Sequence, residues 1–85
     1  MRTLRRTALA EALVAARHEA GLTQQQLADK AGLSRSAIAR LETGKASIGS
    51  DLLWDLAVAL GQRPSHLFAI AEENPVAEET LKPTS

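Results

Sequence analysis

Apolar residues recur every three or four positions along most of this chain, which is the spacing of helices that bury one face. The first such helix is predicted from about residue 7, or from residue 3, to residue 20, and Gly21 is expected to end it in a left-handed conformation. Its buried face would consist of Leu9, Leu13, Ala16 and Ala20. The chain is therefore predicted to open with an amphipathic helix.

Two short helices joined by a glycine turn are predicted between residues 23 and 44. Thr23 and Gln26 have the spacing of a capping box, in which the Thr23 hydroxyl accepts a bond from the Gln26 amide and the Gln26 side chain accepts one from the Thr23 amide. Gly32 can adopt the positive φ that turns the chain, and Ser34 is expected to cap the next helix.

The second of these short helices is predicted to have one apolar and one basic face. At 100° per residue, the apolar side consists of Ala37, Ile38 and Leu41, and the opposite side consists of Arg35, Ser36, Ala39 and Arg40. Because Ala39 is short, this basic side can approach the floor of a DNA groove while the two arginines reach phosphates or guanine edges. The alternative is that the arginines are ordinary solvated charges.

A fourth helix is predicted from Ser50, as its cap, to Leu60, with Leu53, Leu56 and Ala57 facing the core.

Trp54 and Val58 lie off that core stripe of the fourth helix. They are one turn apart and flanked by Asp51 and Asp55, so they form a small apolar patch. Two interpretations stay open. The patch is an interface between copies of the chain, with Trp54 as its anchor, or a fifth helix that begins near Pro64 and carries Leu67 and Phe68 covers it.

The composition changes at about residue 73 to Glu, Pro, Thr and Ser, with Pro75 and Pro83 as helix breakers. We therefore expect a folded domain over residues 1–72 and a disordered, acidic tail over residues 73–85. Such a tail is either solvated or a binding segment for a partner protein.

Charge is divided unevenly along a chain whose formal net charge is zero. Residues 1–66 carry nine Lys or Arg against six Asp or Glu, a balance of plus three, and residues 67–85 carry one Lys against four Glu, a balance of minus three. The predicted folded part is thus the basic part, and a local basic face is what a polyanion experiences. Arg2, Arg5 and Arg6 near the start could serve as a flexible arm along DNA or as solubilising charge.

Several classes of function are disfavoured by composition. The 85 residues contain no Cys, and aromatic residues make up 2%, so Leu, Ala, Ile and Val must form the core of an all-α domain. His18 and His66 are not spaced from other residues as metal ligands or as the partners of a nucleophile would be. We therefore expect neither an enzyme, nor a metal site, nor a cofactor.

Targeting and membrane segments are disfavoured as well. Glu11 interrupts the apolar run that could imitate a secretory signal, and no stretch reaches the roughly 20 apolar residues of a membrane span. A cytoplasmic protein without membrane contact is expected.

Over roughly residues 9–70 the chain resembles the phage-repressor type (Xre-like, lambda-repressor-like) helix-turn-helix family. The resemblance is carried by Arg17, residues 21–28, residues 31–34, residues 38–45 and residues 53–61 in that order and spacing. It implies a compact five-helix, all-α DNA-binding domain. It also implies a sequence-specific regulator of transcription that binds double-stranded DNA as a homodimer on a palindromic operator, most simply as a repressor associated with the nucleoid.

The same resemblance implies roles for individual residues. Base edges in the major groove would be contacted from Arg35, Ser36, Ala39 and Arg40, and phosphates from Thr23, Gln24, Ser34, Thr43 and Lys45. Arg17 and Glu42 resemble a structural salt bridge that orients the third helix. Trp54 and Val58 are the expected dimer interface. Members of the family usually have Asn where this chain has Thr43.

Two other functions remain as alternatives. The chain could be the antitoxin of a toxin–antitoxin pair, which binds its own promoter and holds a toxin with its tail. It could also be a protein-interaction module that kept the fold and lost DNA binding. An unchanged association with cellular DNA after replacing Arg35 and Arg40 with Ala would favour this alternative.

Overall fold

The computed structural model describes residues 2–81 of the chain and the side chains of residues 4–77 and Thr80. Within that part the secondary structure is entirely helical, which confirms the all-α class. In chain order the helices are α1 (Arg2–Glu19), α2 (Gln24–Ala31), α3 (Arg35–Glu42), α4 (Ser50–Leu60), α5 (Pro64–Glu73) and α6 (Pro75–Leu81).

The helix boundaries follow local chemistry. Thr23 forms the complete capping box with Gln26, and Ser34 accepts a bond from the Ala37 amide at the start of α3. Gly32 closes α2 with φ at 71°, a conformation that other residues adopt only with strain. The predicted cap of α4 is corrected by one residue. Gly49 holds that position and Ser50 is the first helical residue, so no side chain caps the helix.

One hydrophobic core joins the first five helices. Its largest fully buried side chains come one from each helix: Leu13, Leu27, Ile38, Leu56 and Leu67. Burying a side chain of this size contributes about 1.5 to 3 kcal/mol. The core therefore ties α2 and α3 to a scaffold of α1, α4 and α5.

A sixth helix is the main difference from the five-helix expectation. Glu73 is the last residue of α5. Pro75, which was expected to be a helix breaker within a disordered tail, is instead the first residue of α6. Ala77 is buried against Ala8, Ala12 and Ala71, so α6 packs on α1 and α5 through a seam of small residues. The sequence showed too few large apolar residues to predict a buried helix here. Helices that pack through alanines approach closely and need no large side chains at their contact. Residues 82–85 of the predicted tail lie outside the described part, and the domain boundary near residue 73 stays a prediction.

The outer side of α4 is left open. Trp54 is 63% exposed and Val58 is 65% exposed. Helix α5 packs against α1 and α4 elsewhere, so it does not cover this patch. Phe68, which the covering interpretation placed on that fifth helix, is itself 46% exposed. No helix among residues 2–81 has the length and apolarity required to cross a bilayer.

Candidate nucleic-acid interface

Helices α2 and α3 present an outward surface because their inner faces are fixed in the core. Leu27 and Ala28 of α2 and Ile38 and Leu41 of α3 are all buried. Between the helices, the Leu33 amide donates to the Ala28 carbonyl at 2.9 Å, which closes the glycine turn. The relative placement of the two helices is therefore determined by packing on one side and by a hydrogen-bonded turn between them.

The outer face of α3 carries free positive charge. Arg35, Ser36 and Arg40 are exposed, as the helical wheel predicted, and Ala39, which the wheel placed on the same side, is half-buried. Neither arginine forms an ion pair with any residue in the described part of the chain. An unpaired guanidinium keeps its five donors available for a phosphate or a base edge.

A partly buried polar network lies behind this face. Arg17 of α1 binds Glu42 of α3 through two contacts, Nε to Oε2 at 2.6 Å and Nη2 to Oε1 at 3.1 Å. The two side chains are 11% and 4% exposed, so the pair is shielded from solvent. Arg17 Nη1 also donates to the Leu22 carbonyl at 2.9 Å, which ties the α1–α2 connection into the network. The predicted salt bridge is thus present with two-point geometry, and it fixes the end of α3 to α1.

Gln24 belongs to the same network, which the sequence did not reveal. Its Nε2 donates to Glu42 Oε1 at 3.0 Å. A second proton on that nitrogen remains for another acceptor. Eighteen residues separate Gln24 and Glu42, and no local pattern links them. The predicted phosphate contact thus starts from a side chain that is already oriented.

The two N-caps combine a hydroxyl with a helix start. Thr23 Oγ1 and Ser34 Oγ accept bonds from the Gln26 and Ala37 amides at 3.1 and 3.0 Å, so each hydroxyl keeps its own proton for donation. The first amides of α2 and α3 lack acceptors within their helices, and the helix dipoles favour an anion at these ends. Both helix starts are therefore suited to a phosphate group.

The turn that follows α3 is less suited to a side-chain contact from Thr43. The Thr43 hydroxyl donates to the Ala39 carbonyl at 2.9 Å and to the Arg40 carbonyl at 3.3 Å, which occupies its single proton. The predicted phosphate contact of Thr43 therefore requires this hydroxyl to rotate away from the helix. Lys45, two residues on, is exposed and forms no ion pair with any side chain that the structure describes.

Chemistry of other kinds has little support in the arrangement. His66 Nε2 lies 3.1 Å from Glu19 Oε2 at an exposed position, and His18 is exposed on α1. Within the described residues, no group of three or more His, Cys, Asp or Glu side chains is placed to hold a metal ion.

Comparison with known proteins gives consistent matches. The family model HTH_3, described as helix-turn-helix, matches residues 13–67. The clp gene regulator ClgR from Corynebacterium glutamicum is 31% identical with a TM-score of 0.76, over 79% of this chain and 87% of that one. The restriction-modification controller protein C.AhdI from Aeromonas hydrophila is 32% identical with a TM-score of 0.70, over 74% of this chain and 96% of that one.

A third similar structure is an HTH_3 family transcriptional regulator from Vibrio cholerae. It is 26% identical with a TM-score of 0.76, over 81% of this chain and 39% of the other chain. A search of curated protein sequences gave no match.

Proposed function

The chain belongs to the helix-turn-helix family, as the resemblance predicted, and we propose that it represses transcription as a dimer on a palindromic DNA operator. Its fold is that of helix-turn-helix DNA-binding transcriptional regulators, a group that binds double-stranded DNA and is not enzymatic. The observation that carries the proposal is the exposed, unpaired arginine face of α3, supported from behind by the partly buried Arg17–Glu42–Gln24 network.

Helix α3 enters the major groove. Arg35 and Arg40 donate to guanine edges, each such two-point contact discriminating against the wrong base by about 1 to 3 kcal/mol. Ser36 offers a hydroxyl to either a donor or an acceptor on a base edge. Ala39 lies between them and keeps the helix close to the bases, because a longer side chain at that position would hold the backbone away.

Phosphates position the helix along the groove. Gln24 donates the proton that Glu42 does not use, and the Thr23 and Ser34 hydroxyls add their own protons beside the free amides of α2 and α3. Lys45 supplies a cation at the other end of α3. With about four phosphate contacts in each subunit of a dimer, the slope of log K against log salt would be about −7, from roughly 0.9 per phosphate.

A symmetric dimer formed through Trp54 and Val58 completes the proposal. Both side chains remain exposed on α4, and a large aromatic residue beside a β-branched one is typical of an interface anchor. Two-fold symmetry would place the two α3 helices about 34 Å apart, one turn of DNA, on a palindromic site. A dimer bound there in the cytoplasm would cover the DNA that polymerase must reach, which is the reason for proposing repression.

No observation favours the antitoxin alternative. It required a free tail that wraps a toxin, whereas residues 75–81 form a helix whose Ala77 is buried against α1 and α5. We therefore propose DNA and a second copy of the chain as the partners.

Selection of bound duplexes from a random library at low salt tests this proposal. We expect the enriched sequences to have two-fold symmetry, with half-sites about 10 base pairs apart. We also expect hydroxyl-radical footprinting to show DNA protected by two chains on each duplex. A promoter that overlaps the selected site should lose expression when the protein is present. A library without enrichment would refute DNA readout, one chain per duplex would refute the dimer, and raised expression would refute repression.

A further inference from the structure

Arg5 and Arg6 border a notch between the start of α1 and the loop that leads from α3 to α4. The notch has a volume of about 240 Å³, and its other lining residues are Leu9, Ser47 and Ile48. Both arginines are helical residues of α1, so they are not the flexible arm that the sequence suggested. Their position is set by the helix and not by free motion of the chain end.

Arg6 lies against the turn that already belongs to the proposed DNA surface. Its Cγ is 4.0 Å from the point that a Cβ on Gly44 would occupy. Gly44 stands between Thr43 and Lys45, so the Arg6 stem runs beside the backbone of that turn. Because Arg6 also lines the notch, the notch lies close to the turn after α3 that contains the exposed Lys45.

The lining of the notch matches a phosphodiester better than a bare ion. The guanidinium of Arg6 can bind two phosphate oxygens at once, and the Ser47 hydroxyl can donate to the same group. Leu9 and Ile48 form an apolar wall on which a deoxyribose can pack. Among the side chains that the structure describes, those of residues 4–77 and Thr80, neither Arg5 nor Arg6 forms an ion pair with a carboxylate.

The two arginines differ in their surroundings. Arg5 also borders a second cavity, of about 270 Å³, whose lining includes Glu72 of α5. That carboxylate faces the same space and reduces the local positive potential at Arg5. Among the described side chains, none that lines the first notch is acidic, so Arg6 is the stronger candidate for an anion contact.

We propose that this notch binds a DNA backbone phosphate, with Arg6 as its principal ligand and Ser47 as a secondary donor. The inference rests on the proposed function, since it adds a phosphate contact from α1 to those made by α2, α3 and Lys45. DNA is favoured over a free anion because the notch adjoins a surface that is already directed at a duplex.

The test compares Arg6→Gln with Arg63→Gln on the duplex selected for the wild-type chain. Arg63 is a matched control because it is exposed, lies at the N-cap position of α5 and makes no capping bond with its side chain. Both variants lose one charge. We expect Arg6→Gln to flatten the salt slope by about 0.9 per subunit and to lose one site of phosphate-ethylation interference per half-site, and Arg63→Gln to keep both.

The possible results distinguish a failure of the proposed function from a failure of the notch inference. If the wild-type chain binds no duplex, the proposed function itself is refuted. If it binds and Arg6→Gln keeps the slope and interference pattern of Arg63→Gln, only the notch inference is refuted. Chemical shift changes at Ser47 on adding inorganic phosphate without DNA, together with an unchanged Arg6→Gln slope, would make the notch a small-anion site and also refute the inference. Thermal unfolding of both variants checks that they remain folded.

Discussion

Helices α3 and α4 obey the same packing rule and present opposite chemistry to solvent. Each buries aliphatic residues on its inner side, Ile38 and Leu41 in α3 and Leu53 and Leu56 in α4. The outer side of α3 bears two arginines, whereas the outer side of α4 bears Trp54 and Val58 between two exposed aspartates. A polyanion is attracted to the first surface and repelled by the second.

The buried residues of both helices determine how they pack in the fold, and the exposed residues determine which partner each helix can bind. Helix α3 is also held by a buried ion pair, while α4 has no side-chain cap at its start. A face that must match a DNA groove within a fraction of a turn benefits from such a fixed scaffold. Single substitutions on each helix can remove the features of this contrast one at a time.

The largest effect is expected from removing the cations of α3. Arg35→Ala combined with Arg40→Ala should reduce specific DNA binding to the non-specific level, since four lost base contacts in a dimer are worth about 4 to 12 kcal/mol. Fluorescence anisotropy on the selected duplex measures this loss. The dimer should survive, as checked by sedimentation. Unchanged DNA binding would show that Arg35 and Arg40 of α3 do not read the duplex.

The second-largest effect, a loss of folding stability, is expected from breaking the Arg17–Glu42 pair behind α3. Arg17→Ala leaves the carboxylate of Glu42 buried without its partner, so the free energy of unfolding should fall by about 3 to 5 kcal/mol in urea titrations. Glu19→Ala is a control on the same helix. It breaks only the exposed pair with His66, and we expect a change of about 0 to 1 kcal/mol. Equal losses in the two variants would show that the Arg17–Glu42 pair has no special structural role.

Changing the α4 patch should separate assembly from folding. Trp54→Ser should weaken the dimer by about 2 kcal/mol, roughly thirtyfold in dissociation constant, because an interface anchor is lost. The free energy of unfolding of the monomer should change little, since the side chain is 63% exposed. Sedimentation over a concentration series and urea titration measure the two quantities. A dimer of unaltered strength would place the interface elsewhere.

The smallest effect is expected at the end of α3. Thr43→Asn replaces a hydroxyl whose proton is held by the Ala39 and Arg40 carbonyls with an amide that has two protons. We expect DNA affinity to rise by about 0.5 to 1.5 kcal/mol, the worth of one added hydrogen bond. A binding assay at fixed salt resolves this gain. Thr43→Val, which removes the hydroxyl without adding a donor, is the control and should not gain affinity.

Local features were predictable because they are complete within one helical turn. The capping box at Thr23, the cap at Ser34, the glycine turn at Gly32 and the proline start at Pro64 all involve partners three or four residues apart or a single backbone angle. The exposed face of α3, and the position of Trp54 and Val58 off the core stripe of α4, followed from helical periodicity alone. The Arg17–Glu42 pair came from the family resemblance, not from any local pattern.

What the sequence determined by itself is therefore the helices, their buried faces and the chemistry of the faces left over. Tertiary structure alone decided which distant side chains meet: Gln24 with Glu42, Arg6 with the Gly44 turn, and Ala77 with the alanines of α1. These contacts join residues between 18 and 69 positions apart, so they depend on how the core packs the helices and leave no periodic trace in the chain. The open state of Trp54 was likewise settled by where α5 packs, not by its own sequence neighbours.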